Sequence, residues 1–179
     1  YPKGGNYVGL IGYADGATAK NVGVIDSYLK GNQYVGGICG AYGIQTNCYN
    51  AGTVSGSSTM VGGICGRIGT QTNCYNVGIV TGNYYVGGIC GIFGTQVNCH
   101  NIGTVSGSGT YVGGICGDRG TQTNCYYLEG CGSKNSLGTS ATLGEFASGK
   151  IGYLLNNDNN NAWYQDLYSD DYPLLDNTH

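Results

Sequence analysis

The chain has 179 residues, of which 36 are glycine, 40% are hydrophobic and only 9% are charged, with a formal net charge of −3. That length suits one domain; glycine without a G-X-Y period excludes collagen, and the hydrophobic share argues against disorder. The sparse, slightly acidic charge excludes a basic nucleic-acid face, and no run of about 18 apolar residues offers a transmembrane segment.

The chain opens at Tyr1 with "YPKGGN" and no signal peptide, which reads as a mature product or a piece of a longer protein. From Tyr7 a degenerate repeat follows, "YVGLIGYADGATAKNVGVIDSYLKG". Four full copies then begin at Val35, Val61, Val86 and Val112, spaced 26, 25 and 26 residues apart. Residues 62–76, "GGICGRIGTQTNCYN", show the frame. No copy holds ten residues without glycine, so a helical repeat is excluded. A propeller blade needs about 40 residues and four strands. Each copy reads instead as three short strands with glycine corners, one coil of a β-solenoid, taken here as a right-handed β-helix. The expected organisation is about five coils over residues 1–130 and a C-terminal cap over 131–179.

Stacked coils place equivalent residues in ladders about 4.8 Å apart. Val35, Val61, Val86 and Val112 should form one column and Cys48, Cys74, Cys99 and Cys125 another. Alternation with Cys74 inward puts Thr70 and Thr72 inside and Gln71, Asn73 and Tyr75 outside. The first strand is ambiguous. Strict alternation buries Val61 and Cys65 and exposes Ile64, whereas a bend at Gly62-Gly63 buries Ile64; Cys65 inside is preferred.

The nine cysteines admit three readings. In the degenerate coil Ile11 replaces the first cysteine and Val22 the second, so both disappear together and both become apolar. That favours within-coil disulfides, Cys39–Cys48, Cys65–Cys74, Cys90–Cys99 and Cys116–Cys125, at ~2.7 kcal/mol each by chain entropy. The alternatives are reduced thiols used as small core residues, or axial disulfides and metal binding. Cys131 is the odd thiol and is expected to stay free.

Beyond residue 131, "TSATLGEFASGKIGYLLNN" reads as one or two short helices, "NNDNNNAWYQD" as a polar loop and "DYPLLD" as a last strand or tail. Leu154, Leu155, Trp163, Leu174 and Leu175 are the candidates to cover the open solenoid end. "NNDNNN" and "YSDD" lack the spacing of known calcium loops. The N-terminal end has no such cover in the sequence, which leaves end-to-end self-association open.

The repeats resemble the GLUG-motif family: "VGGICG" and "TNCYN" match its G-G-[IL]-x-G core and N-C-Y-like strand four times, and both flanks look alike. The doubled cysteine departs from the family pattern. The resemblance implies a β-solenoid in bacterial surface or secreted proteins, including non-catalytic regions of IgA-specific peptidases and adhesin-like proteins. It supplies no catalytic residue and no cofactor. The carboxylates Asp15, Asp26, Asp118 and Glu129 fall at unrelated repeat positions, and His100 and His179 complete no triad. The expected function is therefore a non-catalytic extracellular stalk, spacer or adhesive module. Its partner would be a host or matrix protein or a glycan. The alternative is a binding module using an outward wall of Tyr49, Tyr75, His100 and Tyr126.

Overall fold

With glycine in every turn, a repeat cannot satisfy its backbone within itself; the partners must come from the neighbouring repeat. The computed structural model describes residues 5–132, 137–156 and 161–176. Strands make up 46% of the described residues and helices 7%, and the strands wind into a parallel β-solenoid of about four turns, in the expected class.

Each of the three central coils has five short strands rather than the three read from the sequence. In the third coil they are Thr59–Gly62, Cys65–Arg67, Thr70–Thr72, Tyr75–Asn76 and Ile79–Gly82. The extra corners need no loop. One is the Gly62-Gly63 bend, where a Cβ on Gly62 would lie 2.0 Å from the Cys65 carbonyl oxygen. The other is Asn73, held left-handed at φ 51°, a conformation its short polar side chain tolerates. The coil count falls to about four because the outer coils are incomplete. Val8 makes only an isolated bridge to Val35, and the chain leaves the last coil after Leu128.

Register is kept rung by rung: Val61 pairs with Val35 and Val86, and Cys65 with Cys39 and Cys90. Ile11 pairs with Cys39, as the alignment of the degenerate coil requires. Val35, Val54, Val61, Val80, Val86, Val105 and Val112 form one apolar cluster. Ile38, Ile64, Ile89 and Ile115 form a second with Cys48, Cys74, Cys99 and Cys125. The bend thus buries both Ile64 and Cys65.

The glutamine row points inward, against the alternation expected for that strand. Gln45, Gln71 and Gln96 are buried while Thr70 and Thr95 face solvent. The left-handed asparagine resets the phase, so Gln71 and Cys74 both reach the interior from positions three apart. Gln71 donates to Gln45 at 2.7 Å, Gln96 to Gln71 at 2.8 Å and Gln122 to Gln96 at 2.7 Å. A second buried ladder runs from Asn50 to Asn76 (2.8 Å) and from Asn76 to Asn101 (2.7 Å).

After the last coil, Thr139–Ala141 adds a sixth strand beside Tyr126–Leu128. Helix α1 (Leu143–Ala147) starts with a Thr142/Glu145 capping box; α2 (Lys150–Leu155) follows, and Trp163–Tyr164 pairs antiparallel with Leu174–Leu175. This unit does not seal the solenoid end. Phe146, Ile151, Leu155, Trp163 and Leu175 pack along the side of the coils, against Tyr49, Tyr75 and Tyr126. The end is approached instead by the linker, where Gly138 lies against Ile115 and Leu137 against the Cys116 cluster. Among the described residues no helix is long and apolar enough to cross a membrane.

Replacing Asn76 with alanine removes its bonds to Asn50, Asn101 and Gly78 and strands buried partners. It should cost about 3 kcal/mol, read as a lower urea midpoint with an unchanged m-value.

Candidate functional site

The cysteines form two columns in two compartments. Cys39, Cys65, Cys90 and Cys116 cluster with Ala14; Cys48, Cys74, Cys99 and Cys125 lie among the isoleucines. All nine are free, and none lies at disulfide distance from another, so the within-coil bridges expected from the sequence are not made. The corner between Ile64 and Cys65 and the one at Asn73 aim the two thiols of a coil into different clusters. Each of the eight repeat thiols instead reaches a carbonyl: Cys74 Sγ lies 3.3 Å from Thr72 O, and Cys39 Sγ 3.2 Å from Ala41 O. Burial pushes the Cys74 and Cys99 thiols well up, which keeps them protonated and inert. Cys131 is half-buried on the linker, and burial raises it too.

Tyr49, Tyr75 and His100 do form a ladder, with ring centroids 5.0 and 5.1 Å apart and nearly parallel planes. It is not an open wall. Tyr75 is 6% exposed and His100 fully buried, because the C-terminal unit lies over them. Trp163 sits 5.0 Å from the His100 ring and Phe146 5.8 Å. Tyr126, half-buried at the edge, donates to Asn124 instead. His100 Nε2 lies 2.9 Å from the Pro173 carbonyl, which fixes the neutral Nε2–H tautomer, while Nδ1 has no partner. Burial pulls this imidazole down to about 4. His179 and residues 157–160 of "NNDNNN" lie outside the described residues.

The exposed aromatic surface is elsewhere, at corners that sequence reasoning passed over. Tyr7, Tyr34, Met60 and Tyr85 hold φ between 53° and 64°, and Tyr42, Ile68, Phe93 and Arg119 between 45° and 60°. Each large side chain occupies a left-handed corner that glycine or asparagine would fill at lower cost. The Tyr7 and Tyr34 rings stack at 4.7 Å and those of Tyr85 and Tyr111 at 5.0 Å. Arg67 lies over the rings of Tyr34 and Tyr42, 5.5 and 5.2 Å from their centroids, and donates to the Tyr42 hydroxyl at 2.6 Å. Alongside runs an axial trough of about 340 Å³, floored by Gly43 and Gly69 and flanked by Tyr42, Ile68, Phe93 and Thr95. The signal was present in the sequence: "AYG", "RIG", "IFG" and "DRG" each place a bulky residue just before a corner glycine.

No protein-family model matches the chain, and no curated protein does. A solved structure described as that of "a putative immunoglobulin A1 protease from Bacteroides ovatus" is similar, with a TM-score of 0.73 and 21% sequence identity, over 97% of this chain and 72% of that one. At that identity the likeness shows the fold alone.

Thiol titration of the denatured, unreduced protein should count nine thiols, and titration of the native protein only Cys131; a count of one would restore the four bridges. The His100 imidazole binds its proton more readily unfolded than folded. Stability should therefore be flat above about pH 6.5 and fall by roughly 3 kcal/mol as the pH drops towards 4. His100→Phe should flatten that slope in urea melts taken across this range.

Proposed function

We propose that the chain is a non-catalytic repeat module of an extracellular bacterial protein, a stalk or adhesive spacer of the GLUG-like kind. One observation carries this reading most: the groups that could do chemistry are consumed by the architecture. The eight repeat thiols and the buried amides face inward, and His100 is sealed under the C-terminal unit. Asp15, Asp26, Asp118 and Glu129 share no repeat position. What repeats on the outside, the Thr70, Thr95 and Thr121 row and the largely aromatic corners, is nearly uncharged. The solenoid likeness to the Bacteroides ovatus protein, and the sequence resemblance to repeats in non-catalytic regions of IgA-specific peptidases, support the same reading. We assign the chain no cofactor and no part in bond cleavage.

A second reading has its own support. Bulky side chains held at strained corners are a cost that folding alone does not require. The columns of Tyr7, Tyr34 and Tyr85 and of Tyr42 and Phe93 form a face suited to a host or matrix protein or a glycan. This face takes the place of the covered Tyr49–Tyr75–His100 row.

Antibody raised against the chain should label intact, unpermeabilised cells of the producing bacterium. Recovery of the native protein wholly in the cytosolic fraction would refute the extracellular assignment. In adhesion assays, Tyr34→Ala with Tyr85→Ala should reduce retention about tenfold or more while leaving the melting midpoint within a few degrees. Unchanged retention would leave the plain spacer as the account.

A further inference from the structure

The axial trough beside the aromatic corners has two unlike walls. Tyr42, Ile68 and Phe93 form one, on three successive coils; Ile44, Thr70 and Thr95 form the other. Thr70 pairs in register with Ile44 and Thr95, so the second wall is continuous from rung to rung. Both walls are open to solvent. Thr70 and Thr95 are exposed, Ile44 is 39% exposed and Phe93 40%. The threonines face outward because Gln45, Gln71 and Gln96 take the interior. At about 340 Å³ the trough falls within the roughly 300–1,000 Å³ of small-molecule sites.

The apolar wall is held in a strained conformation. Tyr42, Ile68 and Phe93 sit at φ 60°, 45° and 57°, and a β-branched residue such as Ile68 is an outlier there. Strain kept at a displayed surface points to a use for what is displayed. The floor narrows what that use can be. Its backbone is already engaged between coils: the Thr70 amide donates to the Gly43 carbonyl at 3.1 Å, and the Thr95 amide to the Gly69 carbonyl at 2.9 Å. An extended peptide laid in the trough would find no main-chain partners of the kind that strand addition needs. No lining side chain is charged. The two guanidinium groups at its edge are taken, Arg67 by the Tyr42 hydroxyl at 2.6 Å and Arg119 by Asp118 at 3.3 Å. An acidic ligand therefore has no counter-charge here.

We propose that the trough binds an unbranched, uncharged glycan lying along the solenoid axis. The proposal rests on the strained corners being a displayed binding face, as read above, and names its occupant. A pyranose carries hydroxyls around its rim and C–H groups on its faces, which match the threonine wall and the Tyr42–Ile68–Phe93 wall. The three rungs span about 9.6 Å, two steps of about 4.8 Å, close to the length of a linked disaccharide. A chain and not a single sugar is implied, because the walls repeat from coil to coil and Thr121 continues the exposed threonine row beyond the trough.

The test titrates the intact chain with cellohexaose, mannohexaose, xylohexaose and maltohexaose, by calorimetry and ligand-observed NMR, with polygalacturonate and chitosan oligomers as charged controls. At least one neutral hexasaccharide should bind saturably with a Kd of about 0.1 mM, and its methyl monosaccharide about tenfold more weakly or worse. Phe93→Asn places at the left-handed corner a residue that tolerates it. This variant should keep or raise the melting midpoint and weaken binding about tenfold or more. Thr70→Ile copies the Ile44 rung, so the fold is kept, and it should weaken binding as well. Absence of saturable binding by every neutral hexasaccharide overturns the proposal. So does binding that survives both variants, or that the charged oligomers or the monosaccharide match. If Tyr34→Ala with Tyr85→Ala abolishes adhesion while no hexasaccharide binds, the glycan proposal falls and the displayed face stands. If hexasaccharide binding is lost only in that double variant, the sugar lies on the neighbouring column and the trough is not its site.

Discussion

A buried primary amide has four hydrogen-bonding sites and tolerates little approximation. In this interior the partner that fits is another amide one rung away. Asn50, Asn76 and Asn101, and Gln45, Gln71, Gln96 and Gln122, hold that relation across the coils. Each rung left unmatched would strand a buried donor or acceptor at about 1–3 kcal/mol. A one-residue slip between coils would break all of them together. The amide rows therefore lock the register that the valine columns by themselves, being apolar and interchangeable, would only favour. The period can alternate between 25 and 26 residues because slack is taken up at exposed corners, not at the rungs.

The same lock explains the composition. Close coils need glycine where backbones meet; a Cβ on Gly63 would lie 2.1 Å from the Gly88 carbonyl. Little room remains for large side chains inside, so the core is valine, isoleucine and thiol. A cysteine in such a column is a small polarizable filler whose S–H can touch a carbonyl. Ile11 pairs with Cys39, and Val22 packs against the cluster holding Cys48, in the one coil where both cysteines are lost. Joint replacement reflects the shared apolar demand of two compartments, and a covalent pair is not needed to account for it.

The period, the valine columns and the class of fold were legible in the sequence because they depend only on repetition. The phase of the second strand was not. Alternation counts residues, and the left-handed Asn73 inserts a turn that counting cannot see, so Gln71 was placed outside and the threonines within. The covered Tyr75 and His100 were misjudged for a different reason. What buries His100 is Trp163, Phe146 and Pro173, and no repeat unit contains a trace of a segment some 45 to 75 residues further on. The histidine itself was a hint: it is the one departure in a row of tyrosines, at the rung where a carbonyl comes within 2.9 Å. The aromatic corners were overlooked because glycine beside them drew attention to the turn and away from what the turn displays.

The two fully buried amide rows also run in opposite senses. Asn50 donates towards the C-terminus, whereas Gln71 donates towards the N-terminus. An α-helix accumulates its peptide dipoles into partial charges at its ends. Here the interior side-chain rows subtract from one another, so lengthening them adds little axial polarization. The asparagine row nearer the surface, in which Asn47 donates to Asn21, Asn73 to Asn47 and Asn124 to Asn98, runs with the glutamines, so the cancellation is partial and the remainder lies close to the solvent that screens it.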